Sequence, residues 1–269
     1  MNPKPAQLLD GVIALALQAG QAIMAVYQGE IAVSHKDDNS PLTQADLAAH
    51  DIIDAGLARL TPDWPVLSEE SAATEFAERS HWNPYWLVDP LDGTREFIKR
   101  NGEFTVNIAL IEDHRPVLGV VYAPALDQLF YATKGEGAYH RLGSKAPQAI
   151  HAKTFDPAKI TVAGSRSHAE ASLTRFLKRM GEHTLLSMGS SLKICLVAEG
   201  RADVYPRLGP TSEWDTAAAQ CVLEEAGGQI IDIHSEPLRY NLKPSLLNPW
   251  FFACGAARHD WAQYLDKHL

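Results

Sequence analysis

Apolar residues recur at helical spacing over residues 6–27, and this alanine-rich pattern predicts one long amphipathic helix. A polar stretch at 34–41, containing Lys36-Asp37-Asp38-Asn39-Ser40, reads as a loop. A second helical period covers about 44–60, with Thr43 or Ser40 as its candidate cap. The pattern then changes to that of strands at 65–67, 86–89, 105–111, 117–122 and 128–132. Short turns holding Gly, Pro or Asp join them, which predicts a largely antiparallel sheet. Beyond Pro157 strands and helices alternate. Strands are expected at 160–163, 184–187, 202–205, 229–233 and 251–254, and helices at 169–180, 192–199, 216–226 and near 260–268. Such an order belongs to a layered α/β class. A soft boundary near 150–158 separates an N-terminal α+β lobe, 1–155, from a C-terminal α/β lobe, 156–269, with no internal repeat or free linker.

Composition narrows the chemistry. With 269 residues, 46% of them hydrophobic, the chain can bury a substantial core. Its net charge of −9 argues against binding a nucleic-acid polymer, which needs a basic footprint, but leaves room for a small phosphorylated ligand. Cys195, Cys221 and Cys254 are far apart and lack zinc or CxxC spacing, so each reads as a small core residue in a reducing, cytoplasmic compartment. The charge-free run 11–29 has a single lysine, Lys4, before it and glutamines within it. It reads as a packed helix and not as a signal peptide or transmembrane segment; weak peripheral contact with the cytoplasmic face of the inner membrane is left open.

The densest chemical signal is Asp89-Pro90-Leu91-Asp92-Gly93-Thr94, which follows the apolar run Tyr85-Trp86-Leu87-Val88. Magnesium takes oxygen ligands, commonly one or two carboxylates plus substrate phosphate. Asp89 and Asp92 can supply carboxylates, and the backbone carbonyl of Leu91 a third oxygen. A plain Asx-rich turn would account for the same residues. Three further segments weigh against that reading: Ser68-Glu69-Glu70 after a strand, and Thr43-Gln44-Ala45-Asp46 and Trp214-Asp215-Thr216 at helix starts. Alone, Asp215 would pass for a first-turn acid favoured by the helix dipole, and so would Asp46. The chain has no dinucleotide fingerprint, no Walker loop and no GxSxG elbow.

Taken in order, Ser68-Glu69-Glu70, the Asp89–Thr94 motif and Trp214-Asp215 resemble the inositol monophosphatase superfamily of magnesium-dependent, lithium-sensitive phosphatases. Three further segments are similar to its bacterial 3'(2'),5'-bisphosphate nucleotidases: Arg95-Glu96-Phe97-Ile98-Lys99-Arg100-Asn101-Gly102-Glu103-Phe104-Thr105-Val106-Asn107, Ser165-Arg166-Ser167-His168 and Gly189-Ser190-Ser191-Leu192-Lys193. The resemblance spans nearly the whole chain. Arg95 departs from it, standing where lysine is usual, which keeps the charge and changes the donor geometry.

The resemblance implies an α/β/α/β/α sandwich and hydrolysis of the 3'-phosphate of 3'-phosphoadenosine 5'-phosphate to AMP, clearing a by-product of sulfate activation. The corresponding phosphosulfate is a further candidate substrate. Two or three magnesium ions, with lithium as inhibitor, would be held by Glu69, Asp89, the Leu91 carbonyl, Asp92 and Asp215. Glu70, adjacent to Glu69, falls outside that set. Asp46 and Thr94 would orient the attacking water, and Gly93 would present backbone N–H to the scissile phosphate beside Glu69, Leu91, Asp92, Thr94 and Asp215. His168, Ser190, Lys193 and Arg207 would receive the nucleotide. Two rivals remain: an inositol or sugar phosphate esterase of the same superfamily, and a non-catalytic nucleotide sensor.

Overall fold

A computed structural model describes residues 3–29, 31, 33–35, 41–71, 74–165, 171–256 and 259–266. Helix α1 (Pro5–Gln28) opens with proline at its first position, where a missing N–H costs nothing. It buries Leu8, Val12, Leu15, Ala16, Ala19, Gly20 and Ile23. Among the described residues α1 alone is long and apolar enough to cross a membrane, yet this stripe packs into the core. Strands β1 (Val33–His35) and β2 (Pro41–Thr43) pair antiparallel where the sequence predicts only a loop; residues 36–40 lie outside the described set. Helix α2 (Gln44–Leu60) starts at Thr43 through a reciprocal cap: Ala45 N–H donates to Thr43 Oγ1 (3.2 Å) and Thr43 N–H to Asp46 Oδ2 (2.8 Å).

A seven-stranded sheet follows, built from β3 (Val66–Ser68), β4 (Tyr85–Asp92), β5 (Thr105–Glu112), β6 (Arg115–Ala123), β7 (Gln128–Thr133), β8 (Ala138–Leu142) and β9 (Gln148–Ala149), side by side in that order. Only the β3–β4 pair is parallel. The short helices α3 (Phe76–Arg79) and α4 (Thr94–Ile98) flank β4. Side chains alternate across a pleated strand. Trp86, Val88, Val106, Ile108 and Leu110 therefore pack on α1 and α2, while Tyr85, Leu87, Ala109 and Ile111 face the other way.

The second half supplies β10 (Thr161–Gly164), α5 (Ala171–Met180), β11 (Thr184–Ser187), α6 (Leu192–Ala198), β12 (Val204–Arg207), α7 (Ala217–Glu225), β13 (Gly228–Asp232) and β14 (Phe251–Gly255). Their strands form a five-stranded mixed sheet in the order β11-β10-β12-β14-β13. Helices α6 and α7 lie between the two sheets in one shared core, and Phe176 of α5 packs on the outer face against Phe252. Five layers result, α/β/α/β/α. At Gly119 on β6 a Cβ would fall 2.2 Å from the carbonyl oxygen of Ala218, so α7 rests directly on the strand's backbone. Of the helix expected near 260–268, the described residues form a 3₁₀ turn, Trp261–Tyr264, capped by Asp260; 267 and 268 lie outside the described set.

Candidate active site

The site lies where β4 ends. Its pairing with β5 shifts register between Asp89 and Asp92, and Leu91 N–H turns back to Asp89 Oδ1 (3.0 Å). The local Asx turn and the ligand geometry are thus the same feature. Gly93 follows at φ 91°, a conformation that L side chains rarely adopt, and caps α4. Carboxylate oxygens of Glu69, Asp89 and Asp215 come together within 4.8 Å of one another. Glu69 opens a 3₁₀ turn after β3, and Asp215 closes one before α7, its Oδ2 accepting Ser212 N–H (2.9 Å). Asp92 stands beside this trio, its Oδ2 bonded to Ser191 N–H at 2.6 Å. Glu70 is half-buried and outside the converging set.

Burial raises the pKa of Asp89 well above the carboxylate range, helped by the neighbouring charges of Glu69, Asp92 and Asp215. Asp215 is pushed up to about 8 by burial and then by Asp92 and Glu69. Asp92 rises only to about 6, since Lys193 and the Ser191 N–H oppose its burial. Crowded all-oxygen donors that resist ionisation together suit a hard divalent cation, which supplies the missing positive charge.

Asp46, in the first turn of α2, meets this region through Thr94, which lines the same cavity as the acidic trio. Its Oδ2 accepts the Thr43 hydroxyl (2.6 Å) and N–H, and its Oδ1 accepts the Thr94 hydroxyl (3.3 Å). The sequence-predicted pair Asp46–Thr94 is therefore in contact.

Two adjoining cavities form one cleft. One, of about 330 Å³, is lined by Glu69, Asp89, Leu91, Asp92, Thr94 and Asp215. The other, of about 170 Å³, shares Asp92, Gly93 and Asp215 with it and ends on Ser190, Lys193, Tyr205 and Arg207. Lys193 is buried, donates to the Ser190 carbonyl (2.7 Å) and has its pKa lowered to about 8, mainly by that burial. Of the nucleotide candidates, Ser190, Lys193 and Arg207 meet here; His168 lies outside the described residues.

Sequence reasoning missed several members of this region. Thr211 and Phe251 line the second cavity, while Arg95 and Glu96, quoted from sequence only within a resembling segment, line both. Arg79, buried on α3, donates to Asn241 and to the carbonyls of Lys243 (3.2 Å) and Pro244 (2.5 Å). Asn241 N–H in turn holds Glu213 Oε2 (2.8 Å), fixing the turn that ends in Asp215. Burial raises Glu213 to about 7. The one signal for this network was Glu213-Trp214-Asp215 itself, a second acid two residues before the expected ligand.

Fold and site define a metal-dependent phosphatase of layered α/β architecture. The sequence profile of the inositol monophosphatase family matches residues 4–262, and the chain belongs to that family. It is 52% identical over 246 residues to the 3'(2'),5'-bisphosphate nucleotidase CysQ of Escherichia coli K12, covering 91% of this chain and 98% of that one. To CysQ of Haemophilus influenzae it is 41% identical over 256 residues, covering 94% and 95%. The crystal structure of CysQ from Bacteroides thetaiotaomicron superposes with a TM-score of 0.81 at 42% identity, over 94% of this chain and 98% of that one.

Proposed function

We propose that this chain is a magnesium-dependent 3'(2'),5'-bisphosphate nucleotidase that converts 3'-phosphoadenosine 5'-phosphate to AMP and inorganic phosphate. The polarity of its cleft carries this reading. One end gathers Glu69, Asp89, Asp92 and Asp215; the other presents Lys193 and Arg207. A substrate with a single phosphate would use the acidic end through its cations and make no use of Lys193 and Arg207. A bisphosphate satisfies both. The match to CysQ relatives along nearly their whole length supports the same choice.

Glu69, Asp89, Asp215, Asp92 and the Leu91 carbonyl would hold the magnesium ions. When bound, these neutralise phosphate charge and acidify water. The chain's own residues place that water. The Thr94 hydroxyl donates a hydrogen bond to Asp46 Oδ1, which leaves lone pairs on Thr94 Oγ1 to accept a hydrogen bond from water. As the water oxygen bonds phosphorus, its proton passes to Thr94 and the threonine's to Asp46. The bond from phosphorus to the 3'-oxygen breaks, and that oxygen takes a proton from solvent. The phosphosulfate analogue presents the same 3'-phosphate and is a second substrate on this reading, which places the enzyme in sulfur assimilation in the cytoplasm. Lithium would inhibit by taking a cation position.

Phosphate release from 3'-phosphoadenosine 5'-phosphate, compared with inositol 1-phosphate in the presence of magnesium, tests the proposal. Strong preference for the nucleotide is expected. Preference for inositol 1-phosphate would overturn the substrate assignment and leave the metal site standing.

A further inference from the structure

Strand β5 carries a buried polar chain that the proposed chemistry does not use. Thr105, Asn107 and Ser191 are each at most 3% exposed. Thr105 Oγ1 lies 2.9 Å from Ser191 Oγ, and Ser191 Oγ donates to Asn107 Oδ1 at 2.9 Å. Asn107 Nδ2 is buried with no protein partner among the described residues. In the β4–β5 ladder Asn107 is directly opposite Asp89, and Thr105 opposite Asp92. Directly paired residues share a sheet face, with Cβ atoms about 5 Å apart. Asn107 and Asp89 therefore both face the layer that supplies Asp215.

We infer that Asn107 is a positioning residue: its carbonyl oxygen and Thr105 fix the Ser191 side chain, and Ser191 N–H in turn orients Asp92, a carboxylate of the proposed cation site. Ser190, beside Ser191, holds Lys193. A single turn thus joins the metal end of the cleft to its basic end. This inference rests on the metal site of the proposed function and not on the identity of its substrate.

Calorimetric titration of magnesium into the folded protein tests it, with the fold of each variant checked by circular dichroism. Partners of ligating carboxylates, when removed, weaken metal binding by about 10–100-fold. Ser191→Ala and Asn107→Leu are each expected to weaken magnesium binding at least about tenfold. Asn107→Ser, which keeps an oxygen that can accept from Ser191, should fall by less. Saturating magnesium should restore turnover. Magnesium affinity within about twofold of the parent in Ser191→Ala and in whichever Asn107 variant folds would overturn the inference. A parent protein that fails to bind magnesium would instead overturn the metal site itself.

Discussion

Asp46 is a helix cap and, in the proposed mechanism, the acceptor of a proton, and its two oxygens divide these roles. Oδ2 is taken up by the N–H and hydroxyl of Thr43, and Oδ1 meets Thr94. Thr94→Ala leaves the Thr43 cap of α2 intact and removes the hydroxyl that meets Asp46 and, at 3.4 Å, the Leu91 carbonyl. Turnover is expected to fall by about 10²–10⁴-fold while magnesium affinity holds, and Thr94→Ser should retain most of the rate. Steady-state kinetics beside a magnesium titration checks this; an undiminished rate in Thr94→Ala contradicts the water-placing role. The crowded acids set a pH dependence of definite sign. Asp89, Asp92 and Asp215, together with Glu213, all have folded pKa values raised above those of the unfolded chain. The metal-free fold thus retains protons that the unfolded chain has lost. Its stability should fall as pH rises from about 5.5 to about 8, and magnesium should flatten the fall by replacing those protons. Thermal melts in chelator and in magnesium at both pH values measure it. A metal-free protein that melts higher at the upper pH would contradict the cluster.

Elements with strong local grammar were legible in the sequence. The Thr43–Asp46 box fixes the start of α2, and the apolar period of 6–27 gives α1 to within a residue at each end. β8 was not legible, because Tyr139-His140-Arg141 lacks an apolar alternation and is held by pairing with β7 and by His140 stacked on Phe130. Over the described residues the last helix was overestimated, because its short apolar pattern serves to seat Trp261 against Phe155. The acids that converge, Glu69, Asp89 and Asp215, could be named from sequence as candidates, since their motifs sit at strand and helix ends. The Arg79–Asn241–Glu213 support and the Thr105–Ser191–Asn107 chain could not, since each joins residues 28 to 162 positions apart only after folding. At this scale Gly119 gives the sharpest prediction. An added methyl must displace α7, whose first residue follows Thr216, next to Asp215. Gly119→Ala is expected to cost about 1–3 kcal/mol by overpacking and also to weaken magnesium binding. Denaturant unfolding and magnesium titration report the two effects, and an unchanged midpoint would show that α7 can move freely.

Across the whole molecule the two sheets are joined by one core, and the cleft crosses from one half to the other. Leu87, Ala109 and Val121 from the first half share that core with Ala218, Val222 and Phe251 from the second. The acidic trio needs both halves, since Glu69 and Asp89 come from one and Asp215 from the other. At the other end Lys193 on α6 and Arg207 on β12 come from the second half, and Arg95 joins them from the first. Arg207 stands outside the acidic trio, so its part in substrate choice can be tested apart from metal binding. A charge-assisted hydrogen bond contributes about 1.5–3 kcal/mol, or roughly a factor of 10–100 in binding. Arg207→Ala should raise KM for 3'-phosphoadenosine 5'-phosphate by that factor. KM for adenosine 3'-phosphate, which lacks the second phosphate, should stay within about threefold, with kcat for both largely kept. Side-by-side kinetics on the two nucleotides at saturating magnesium makes the comparison. Equal losses on both would mean that Arg207 supports the site as a whole, and that the basic end does not read the second phosphate.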